Sequence, residues 1–463
     1  MRYLFALVLG VVIGAAHAQW ESVAGGYLEG SASATWYDSQ NERLYFGGNM
    51  RYMQQDSLQV RAITYWEDGL WHPMRSGTTY IGNGAAPPVQ AVLRLDTTIV
   101  IAGAFRKVDS IPDTKGVAQW HSGSWHSMGI DSADFISPNA SRLQVINDTL
   151  HMLGGFVFVY DGDTIRNWAV WNGNTWAPGD TNVIFNYFTR AVAWYQDEFY
   201  MAGNFNVLGG VKDIARRNGG AWQSLGTGIM GDPWVNDMVV YDGLLWVVGE
   251  FYRSAGNPGS GIMVWDGTQW LDPFPMLDMF AQGRDLEIIN GKLYFTGAMN
   301  VDGMADYYGV GRYDGEELCI IGGPEVFALN LTGNADTLYM ATCGTHTCYP
   351  DGLPVNGIAK WPMDAPPDIC FDVEVGITGL RAERPTLHPN PLSSSSLLQL
   401  PAHHPRPAAL TWHDATGRLV RTDAPQWQGS HLRIERGQLP SGLYLLSLDG
   451  PGGRAATLRV VVE

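Results

Sequence analysis

The feature that most constrains this chain is a two-strand phrase that recurs at a nearly constant interval. Each copy has a strand of the form apolar-aromatic-apolar-x-Gly, a polar loop, and a second strand ending near an aromatic residue before a turn. The second strands are centred on Trp66, Trp120, Trp171, Arg217, Trp265, Tyr313 and Trp361. Successive centres are 46 to 54 residues apart. A period of about 50 residues is typical of a β-propeller with four strands per blade, and the copies predict seven blades over residues 19–364.

Composition supports an all-β, turn-rich fold and excludes two classes of protein. The 463 residues include 56 Gly and 18 Trp, but only 16% are charged. An apolar content of 45% is too high for a disordered chain. The net charge of −17 argues against nucleic-acid binding, because contacts to phosphate need a basic surface.

The fifth copy shows how the strands of one blade are expected to follow each other. An inner strand over 237–240 leads to a second strand over 245–251 and a third over 261–265. Asp266-Gly267 then predicts a type I′ hairpin turn, because that turn needs two positive φ angles, and the fourth strand is expected to start at Trp270.

The two ends of the repeat region are expected to meet. The last copy stops at Trp361-Pro362 and lacks its fourth strand, while residues 20–25 resemble the fourth strand at 222–226. We therefore predict that the N-terminal strand completes the seventh blade and removes a free sheet edge.

In general form the repeat resembles kelch-like and galactose-oxidase-like propellers over residues 20–364. The resemblance implies the architecture and not an activity. A galactose-oxidase copper site needs a matched set of Tyr, His and Cys ligands that this sequence does not assemble, and we predict no metal and no cofactor.

One face of the predicted propeller carries short hairpins, and the other carries long, dissimilar loops. Variable loops on a rigid scaffold are where binding surfaces are usually built. A ligand site is therefore expected on the long-loop face, around the central channel. Candidate ligand-binding residues lie in these loops or close after the repeated aromatic position: Arg51, Arg106, Asn206, Arg253 and Asn300. The alternative is that these polar groups are only solvated.

The four cysteines allow three disulfide pairings. Cys343 with Cys348 would close a tight loop, and Cys319 with Cys370 would then pin the last blade to its tail. A metal site using Cys343, His346 and Cys348 is the alternative for two of the thiols.

The first 18 residues are expected to be a secretory signal peptide. Arg2 is followed by an apolar run over 4–16, and cleavage after Ala18 would leave Gln19 as the first mature residue. The run is shorter than the roughly 20 residues of a membrane-spanning helix. No later segment is long and apolar enough to span a membrane.

The last 80 or so residues differ from the repeat region in charge and pattern. From residue 380 onward there are nine Arg, no Lys and six acidic residues. Alternating apolar segments separated by Gly and Pro predict a small Ig-like β-sandwich over 385–463, after a proline-rich linker over 365–384.

This C-terminal segment resembles the type A sorting domain of type IX secretion. The residues that carry the resemblance are Pro389, Asn390, Pro391, Asp414, Gly417, Gly442 and Tyr444. The resemblance implies export into the periplasm and then across the outer membrane, with the type IX machinery and its sorting peptidase as partners. The acidic last residue, Glu463, departs from the basic or apolar ending that is usual in the family.

The sequence contains no nucleophile elbow, H-E-x-x-H or S-x-x-K motif, and no carboxylate pair stands out. The favoured function is therefore a non-catalytic, secreted or cell-surface propeller that binds an extracellular glycan or protein. The alternatives are a propeller enzyme acting on extracellular polysaccharide as a hydrolase or lyase, and a structural part of the cell envelope. A converging carboxylate pair or arginine cluster would favour the enzyme, and an exposed aromatic patch would favour the binding protein.

Overall fold

The computed structural model of this chain is all-β over the residues that it describes. These form 43 strands and no α-helix. None of them therefore builds a helix with the length and apolarity needed to cross a bilayer. The described residues are 20–23, 27–29, 32–53, 57–79, 89–131, 133–180, 186–206, 210–218, 220–231, 233–280, 282–301, 308–322, 328–342, 357–373, 386–388, 390–400, 406–414, 419–429, 431–450 and 453–462.

The strands are short and follow the repeat. In the first half of the chain they are β1 (Glu21–Ser22), β2 (Tyr27–Glu29), β3 (Ala32–Asp38), β4 (Arg43–Gly48), β5 (Tyr52–Met53), β6 (Ile63–Glu67), β7 (Leu70–Pro73), β8 (Thr78–Thr79), β9 (Val89–Leu95), β10 (Thr98–Gly103), β11 (Lys107–Val108), β12 (Val117–His121), β13 (Ser124–His126), β14 (Phe135–Ser137), β15 (Ala140–Ile146), β16 (Thr149–Tyr160), β17 (Asp163–Trp171), β18 (Trp176–Pro178), β19 (Asn186–Tyr195), β20 (Glu198–Asn206), β21 (Lys212–Asn218) and β22 (Ala221–Ser224). In the second half they are β23 (Trp234–Tyr241), β24 (Leu244–Glu250), β25 (Ile262–Trp265), β26 (Trp270–Leu271), β27 (Leu277–Asp278), β28 (Asp285–Ile289), β29 (Lys292–Val301), β30 (Tyr308–Tyr313), β31 (Glu317–Ile321), β32 (Ala328–Gly333), β33 (Thr337–Thr342), β34 (Ile358–Pro362), β35 (Ile369–Asp372), β36 (Thr386–His388), β37 (Ser395–Gln399), β38 (Ala409–Asp414), β39 (Leu419–Asp423), β40 (Trp427–Gln428), β41 (His431–Glu435), β42 (Gly442–Gly450) and β43 (Gly453–Val462).

Four-stranded antiparallel sheets succeed one another along the repeat region. In chain order the first to seventh sheets are β3-β4-β6-β7, β9-β10-β12-β13, β15-β16-β17-β18, β19-β20-β21-β22, β23-β24-β25-β26, β28-β29-β30-β31 and β32-β33-β34-β1. Short strands extend the third and sixth sheets, because β14 also pairs with β16 and β27 with β29. Two small ribbons, β2 with β5 and β8 with β11, lie outside this series.

The N-terminal strand β1 is the outer strand of the seventh sheet. Glu21 pairs with Lys360 on β34, as the repeat predicts. Trp20 is fully buried beside Trp361, with 5.4 Å between ring centroids. A Cβ at Gly322 would overlap the Trp20 indole, so only glycine fits at that position.

The hydrophobic core lies between successive sheets. Seven buried clusters each join residues of two neighbouring sheets, and one of them packs Phe46 and Trp71 of the first sheet against Tyr339 of the seventh. Each sheet is therefore covered on both faces by its neighbours, which explains why its strands are nearly continuous apolar runs.

A linker was expected over 365–384, but part of that stretch is a strand of the sixth sheet. Residues 369–372 form β35, which pairs with β31 as a fifth strand of the sixth sheet. Ile369 and Phe371 pack partly buried against the core of the fifth and sixth sheets. The prolines that suggested a linker lie just before this strand, and residues 374–385 are outside the described part of the chain.

The turn at Asp266-Gly267 is not the type I′ hairpin that the sequence predicted, because only Gly267 has a positive φ, although the fourth strand begins at Trp270 as expected. Trp265 pairs with Trp270, which leaves a four-residue loop. The Asp266 carboxylate accepts hydrogen bonds from the backbone amides two and three residues later, at 2.6 and 2.8 Å. This side chain closes the turn. The two-residue form is found at Asp68-Gly69, where the φ angles are 51° and 81°.

The C-terminal residues form two four-stranded sheets, β36-β37-β41-β40 and β39-β38-β42-β43. Leu398 and Ile434 of the first sheet share one buried core with Trp412 and Leu446 of the second. Two antiparallel sheets packed face to face form a β-sandwich.

Several residues that carry the sorting-domain resemblance hold this sandwich together. Asn390 Oδ1 accepts a hydrogen bond from the backbone amide of Val461, at 2.9 Å. The Tyr444 hydroxyl donates to the carbonyl of Pro440, at 3.0 Å, and Gly442 pairs with Val462. Pro389, Gly417 and the side chain of Asp414 lie outside the described residues.

Candidate functional site

A central cavity of about 570 Å³ is lined by the first strands of all seven sheets of the repeat region. These strands are β3, β9, β15, β19, β23, β28 and β32. Neighbouring first strands contact each other, and β3 contacts β32, so the series returns to its start. Each first strand follows the long loop that connects it to the preceding sheet and ends at a short hairpin. One end of the cavity therefore lies on the face that carries the long loops, and we call it the long-loop end.

One position near the start of each first strand defines a layer across the cavity. In six of the seven strands it directly follows a register shift, the mark of a β-bulge. The residues of this layer are Ala34, Ala91, Arg142, Ala191, Asp237, Asp285 and Asn330. All except Ala191 line the cavity. The charged members are therefore gathered at one level of an otherwise small-residue ring.

Arg142 crosses the cavity to reach two aspartates. It belongs to the third sheet, and its guanidinium donates to Asp285 of the sixth sheet at 3.0 Å while also pairing with Asp237 of the fifth. Burial raises the pKa of Asp285, and the positive charge of Arg142 opposes that rise. A half-buried carboxyl, Glu287, lies two residues further along β28, and desolvation raises its pKa to about 8, with Asp285 and Asp237 adding to the rise.

The same aspartates also hold neighbouring first strands together. Asp237 accepts a hydrogen bond from the backbone amide of Leu286 at 3.0 Å, and Asp285 accepts one from Leu331 at 2.8 Å. The side-chain oxygen of Asn330 likewise accepts a hydrogen bond from the backbone amide of Thr35, at 2.8 Å. Amides on the inner edge of each sheet need such acceptors, because no backbone ladder joins one sheet to the next. These carboxylates therefore have a structural role, which argues against a free catalytic pair.

A second cluster lies beside this layer, at the long-loop end, and we call it the mouth cluster. It consists of Phe188, Arg190, Trp234, Glu250 and Arg284. The Arg190 guanidinium lies 4.9 Å from the centroid of the Trp234 ring, and the Phe188 ring is 5.6 Å from the same ring. Arg284 pairs with Glu250 at 2.7 Å. The cluster thus combines flat aromatic surface with two arginines.

Farther out on the same face, Tyr252 and Met230 are unusually exposed for their size, at 68% and 48%. They are held by the buried side chain of Asn257, whose Nδ2 donates to the carbonyls of both residues at 3.1 and 3.0 Å. Asn257 Oδ1 also accepts from the Met230 amide at 2.9 Å. A buried polar side chain that fixes two exposed apolar residues is a preorganised contact surface.

The five ligand-binding residues predicted from the sequence are not brought together in the cavity, whose lining does not include them. Arg51 and Arg106 follow the inner pair of strands in the first and second sheets. Arg253 pairs with Asp272 at 2.6 Å and donates to the Pro258 carbonyl at 3.0 Å, so it supports its own loop. Asn206 and Asn300 lie near the ends of β20 and β29, and the Asn206 side chain is outside the described residues. Their binding role stays a prediction.

Cys319 and Cys370 form a disulfide between the paired strands β31 and β35. This is one of the pairings that the sequence allowed, but it joins the tail to the sixth sheet and not to the last one. Glu317 lies beside the two sulfur atoms, and because both sulfurs are in the disulfide, this group offers no thiolate to a metal. Cys343, His346 and Cys348 fall outside the described residues.

Sequence reasoning missed the charged layer, although a signal for it was present. Six of the seven first strands can be aligned by the glycine of the next strand, and three copies then have alanine at the layer position. Arg142, Asp237 and Asp285 are the charged residues at that position.

Comparisons with known proteins give similarities of shape only. The chain is similar to the solved structure of YjhT, with a TM-score of 0.35 and 11% identity over 70% of this chain and 98% of that one. It is also similar to the Dos1 propeller, with a TM-score of 0.39 and 9% identity over 75% and 94% of the two chains. A third similarity, to Chaetomium thermophilum Raptor, has a TM-score of 0.36 and 9% identity, over 75% of this chain and 29% of Raptor. No family model matches the sequence, and no curated protein is significantly similar to it.

Proposed function

We propose that this chain is a secreted or cell-surface, seven-bladed β-propeller that binds an extracellular ligand and performs no catalysis. The seven sheets would be the seven blades, closed by β1, and the sandwich over 386–462 would be an Ig-like sorting domain. Two features support the architecture: the first strands of all seven sheets line one cavity, and the core clusters join each sheet to the next.

The observation that carries the binding function is the exposed pair Tyr252 and Met230, fixed by Asn257. An exposed aromatic ring on a rigid, variable-loop face is a natural surface for a sugar ring or an apolar peptide side chain. A glycan is the ligand that fits best, because the mouth cluster adds further aromatic rings on the same face.

The second candidate is an enzyme acting on polysaccharide, and one observation favours it. Glu287 is a half-buried carboxyl whose pKa is raised to about 8, as a general acid requires. Against this, Asp237 and Asp285 are already engaged by Arg142 and by the amides of neighbouring strands. Binding without turnover is therefore the stronger proposal.

The proposed route of export rests on the sorting-domain resemblance and the signal peptide. The ligand site would then face the outside of the cell, after passage through the periplasm. The test is a reporter enzyme carrying residues 1–25 at its start and 385–463 at its end, produced in a host with and without a working type IX system. Appearance outside the cell only with the working system supports the route, and periplasmic retention in both hosts overturns it.

The binding proposal is tested with the purified full chain on a glycan array, combined with a reducing-end assay on the same polysaccharides. Binding that Tyr252→Ala weakens at least tenfold, without new reducing ends, supports the proposal. The matched control is Leu70→Ala, which changes a residue that is also exposed, at 52%, but lies on a short hairpin of the opposite face. New reducing ends that Glu287→Gln abolishes would establish the enzyme instead.

A further inference from the structure

Among the described residues, Arg190 is the cation of the mouth cluster that has no carboxylate partner. It is half-buried, and its Nε is buried without a hydrogen bond. Within the described residues it forms no ion pair, and its guanidinium lies over the face of Trp234, 4.9 Å from the ring centroid. A buried guanidinium nitrogen without a hydrogen bond is costly, because that donor has given up water without receiving an acceptor.

The other charges nearby are already paired. Arg142 takes Asp237 and Asp285, and Arg284 takes Glu250 at 2.7 Å. Burial lowers the pKa of Arg190. The negative charge of Glu250 opposes this decrease, and the positive charges of Arg142 and Arg284 add to it. Within the part of the chain that the structure describes, Arg190 is therefore the one of these three arginines that pairs with no carboxylate.

The surroundings of Arg190 restrict the kind of anion. The Phe188 ring packs over Gly155, where any Cβ would overlap it, and its neighbour Trp234 lies 5.6 Å away. Aromatic faces of this kind suit a ring with an apolar face, as in a pyranose, better than a small hydrated ion. A planar guanidinium matches the two oxygens of a carboxylate.

We propose that Arg190, Trp234 and Phe188 form a subsite for a carboxylate-bearing sugar, a uronic acid residue of a glycan. The carboxylate would accept hydrogen bonds from the terminal nitrogens of Arg190, and the sugar ring would lie against the aromatic pair. This inference rests on the proposed function, since it names the ligand class for the same face of the molecule.

The test compares two probes that differ only in charge. Isothermal titration calorimetry with the full chain would use an oligogalacturonate and the same oligosaccharide with its carboxyl groups reduced to alcohols. We expect the acidic form to bind at least tenfold more tightly, with an affinity that falls as salt is added. This comparison needs no variant, so it stands even if changes at Arg190 disturb folding.

Variants then assign the preference to the residue. Arg190→Gln should abolish the preference for the acidic probe, and Arg190→Lys should keep part of it, because the charge remains but the two-pronged geometry is lost. Arg433→Gln, on an exposed strand of the C-terminal sandwich, is the matched control and should change nothing.

The outcomes separate the inference from the proposed function. Equal binding of the two probes, or a preference that Arg190→Gln retains, overturns the inference and leaves glycan binding intact. If neither probe binds while other glycans on the array do, the inference is likewise overturned and glycan binding is left intact. An array and a protein screen with no bound ligand at all would overturn both.

Discussion

Arg142 and Asp285 are 143 positions apart in the chain, yet Nη2 of the first donates to Oδ1 of the second at 3.0 Å across the central cavity. The strands that carry them belong to the third and sixth sheets, which are not neighbours. The contact therefore ties opposite sides of the cavity directly, in addition to the packing between adjacent sheets.

Removing the arginine should destabilise the fold. Arg142→Met leaves the carboxylates of Asp237 and Asp285 facing each other without a cation, and breaking one side of a buried ion pair costs about 3–5 kcal/mol. Urea unfolding of the variant should show this loss. The triple variant that adds Asp237→Asn and Asp285→Asn should recover part of it, because the repulsion is gone. An unchanged free energy of unfolding for Arg142→Met would show that the contacts of Arg142 with the two aspartates do not stabilise the fold.

His151 should make the protein sensitive to acid. Burial lowers the pKa of His151 from 6.5 to about 4, and its Nδ1 accepts a hydrogen bond from Trp168 Nε1 at 3.0 Å. The neutral ring is thus the native form. Its stabilising contribution is present above pH 6.5 and is lost as the pH falls from 6.5 towards 4. His151→Gln should flatten the pH dependence of the melting temperature over this interval, and a dependence equal to that of the wild type would contradict the prediction.

Glu287 should make the protein less stable as the pH rises, the opposite of the effect of His151. Its pKa is raised from 4.5 to about 8, so the folded state favours the protonated carboxyl. The stabilisation is fully present below pH 4.5 and is lost as the pH rises through about 8. Glu287→Gln should gain stability relative to the wild type between pH 5 and pH 9 in thermal unfolding. Glu316→Gln, at an exposed turn, is the control, and parallel curves for all three proteins would refute the prediction.

The disulfide should secure the tail strand. Cys319 and Cys370 close a loop with a sequence separation of 51 that contains most of the seventh sheet, and cross-links of this kind contribute about 2–4 kcal/mol. Cys370→Ser should lower the free energy of unfolding by that amount. Amide exchange should accelerate in β35, because a four-residue edge strand keeps few other contacts. Exchange at the wild-type rate would mean that the ladder to β31 suffices without the bond.

The parts of the fold that could be predicted are those encoded repeatedly along the chain. A glycine near the end of the second strand recurs in six copies and an aromatic residue near the end of the third strand in six, and the series of sheets followed from them. The pairing of the N-terminal strand followed from the missing fourth strand of the last copy and from the likeness of residues 20–25 to 222–226. The charged layer could not be found in this way. Arg142, Asp237 and Asp285 replace small residues in single copies, and their partners become visible only when distant sheets face each other.

Two local features, a short strand and a turn, could not be predicted for a different reason. The strand at 369–372 is too short to carry a periodic signal, and only its pairing with β31 defines it. The four-residue turn at Asp266 depends on one side chain bonding to amides ahead of it. Both depend on hydrogen bonds, which a hydrophobic pattern does not report.

The pairing of Glu21 with Lys360 has a consequence for how the chain reaches its native state. The seventh sheet cannot be completed until both β1 and β34 are available. During synthesis or export, β1 therefore has no strand to pair with until nearly the whole repeat region is present. Contacts this distant in sequence slow folding, because a large loop must close before they form. Ring closure is therefore the late, cooperative step, and a chain interrupted before residue 358 would keep an open strand position that another polypeptide could occupy.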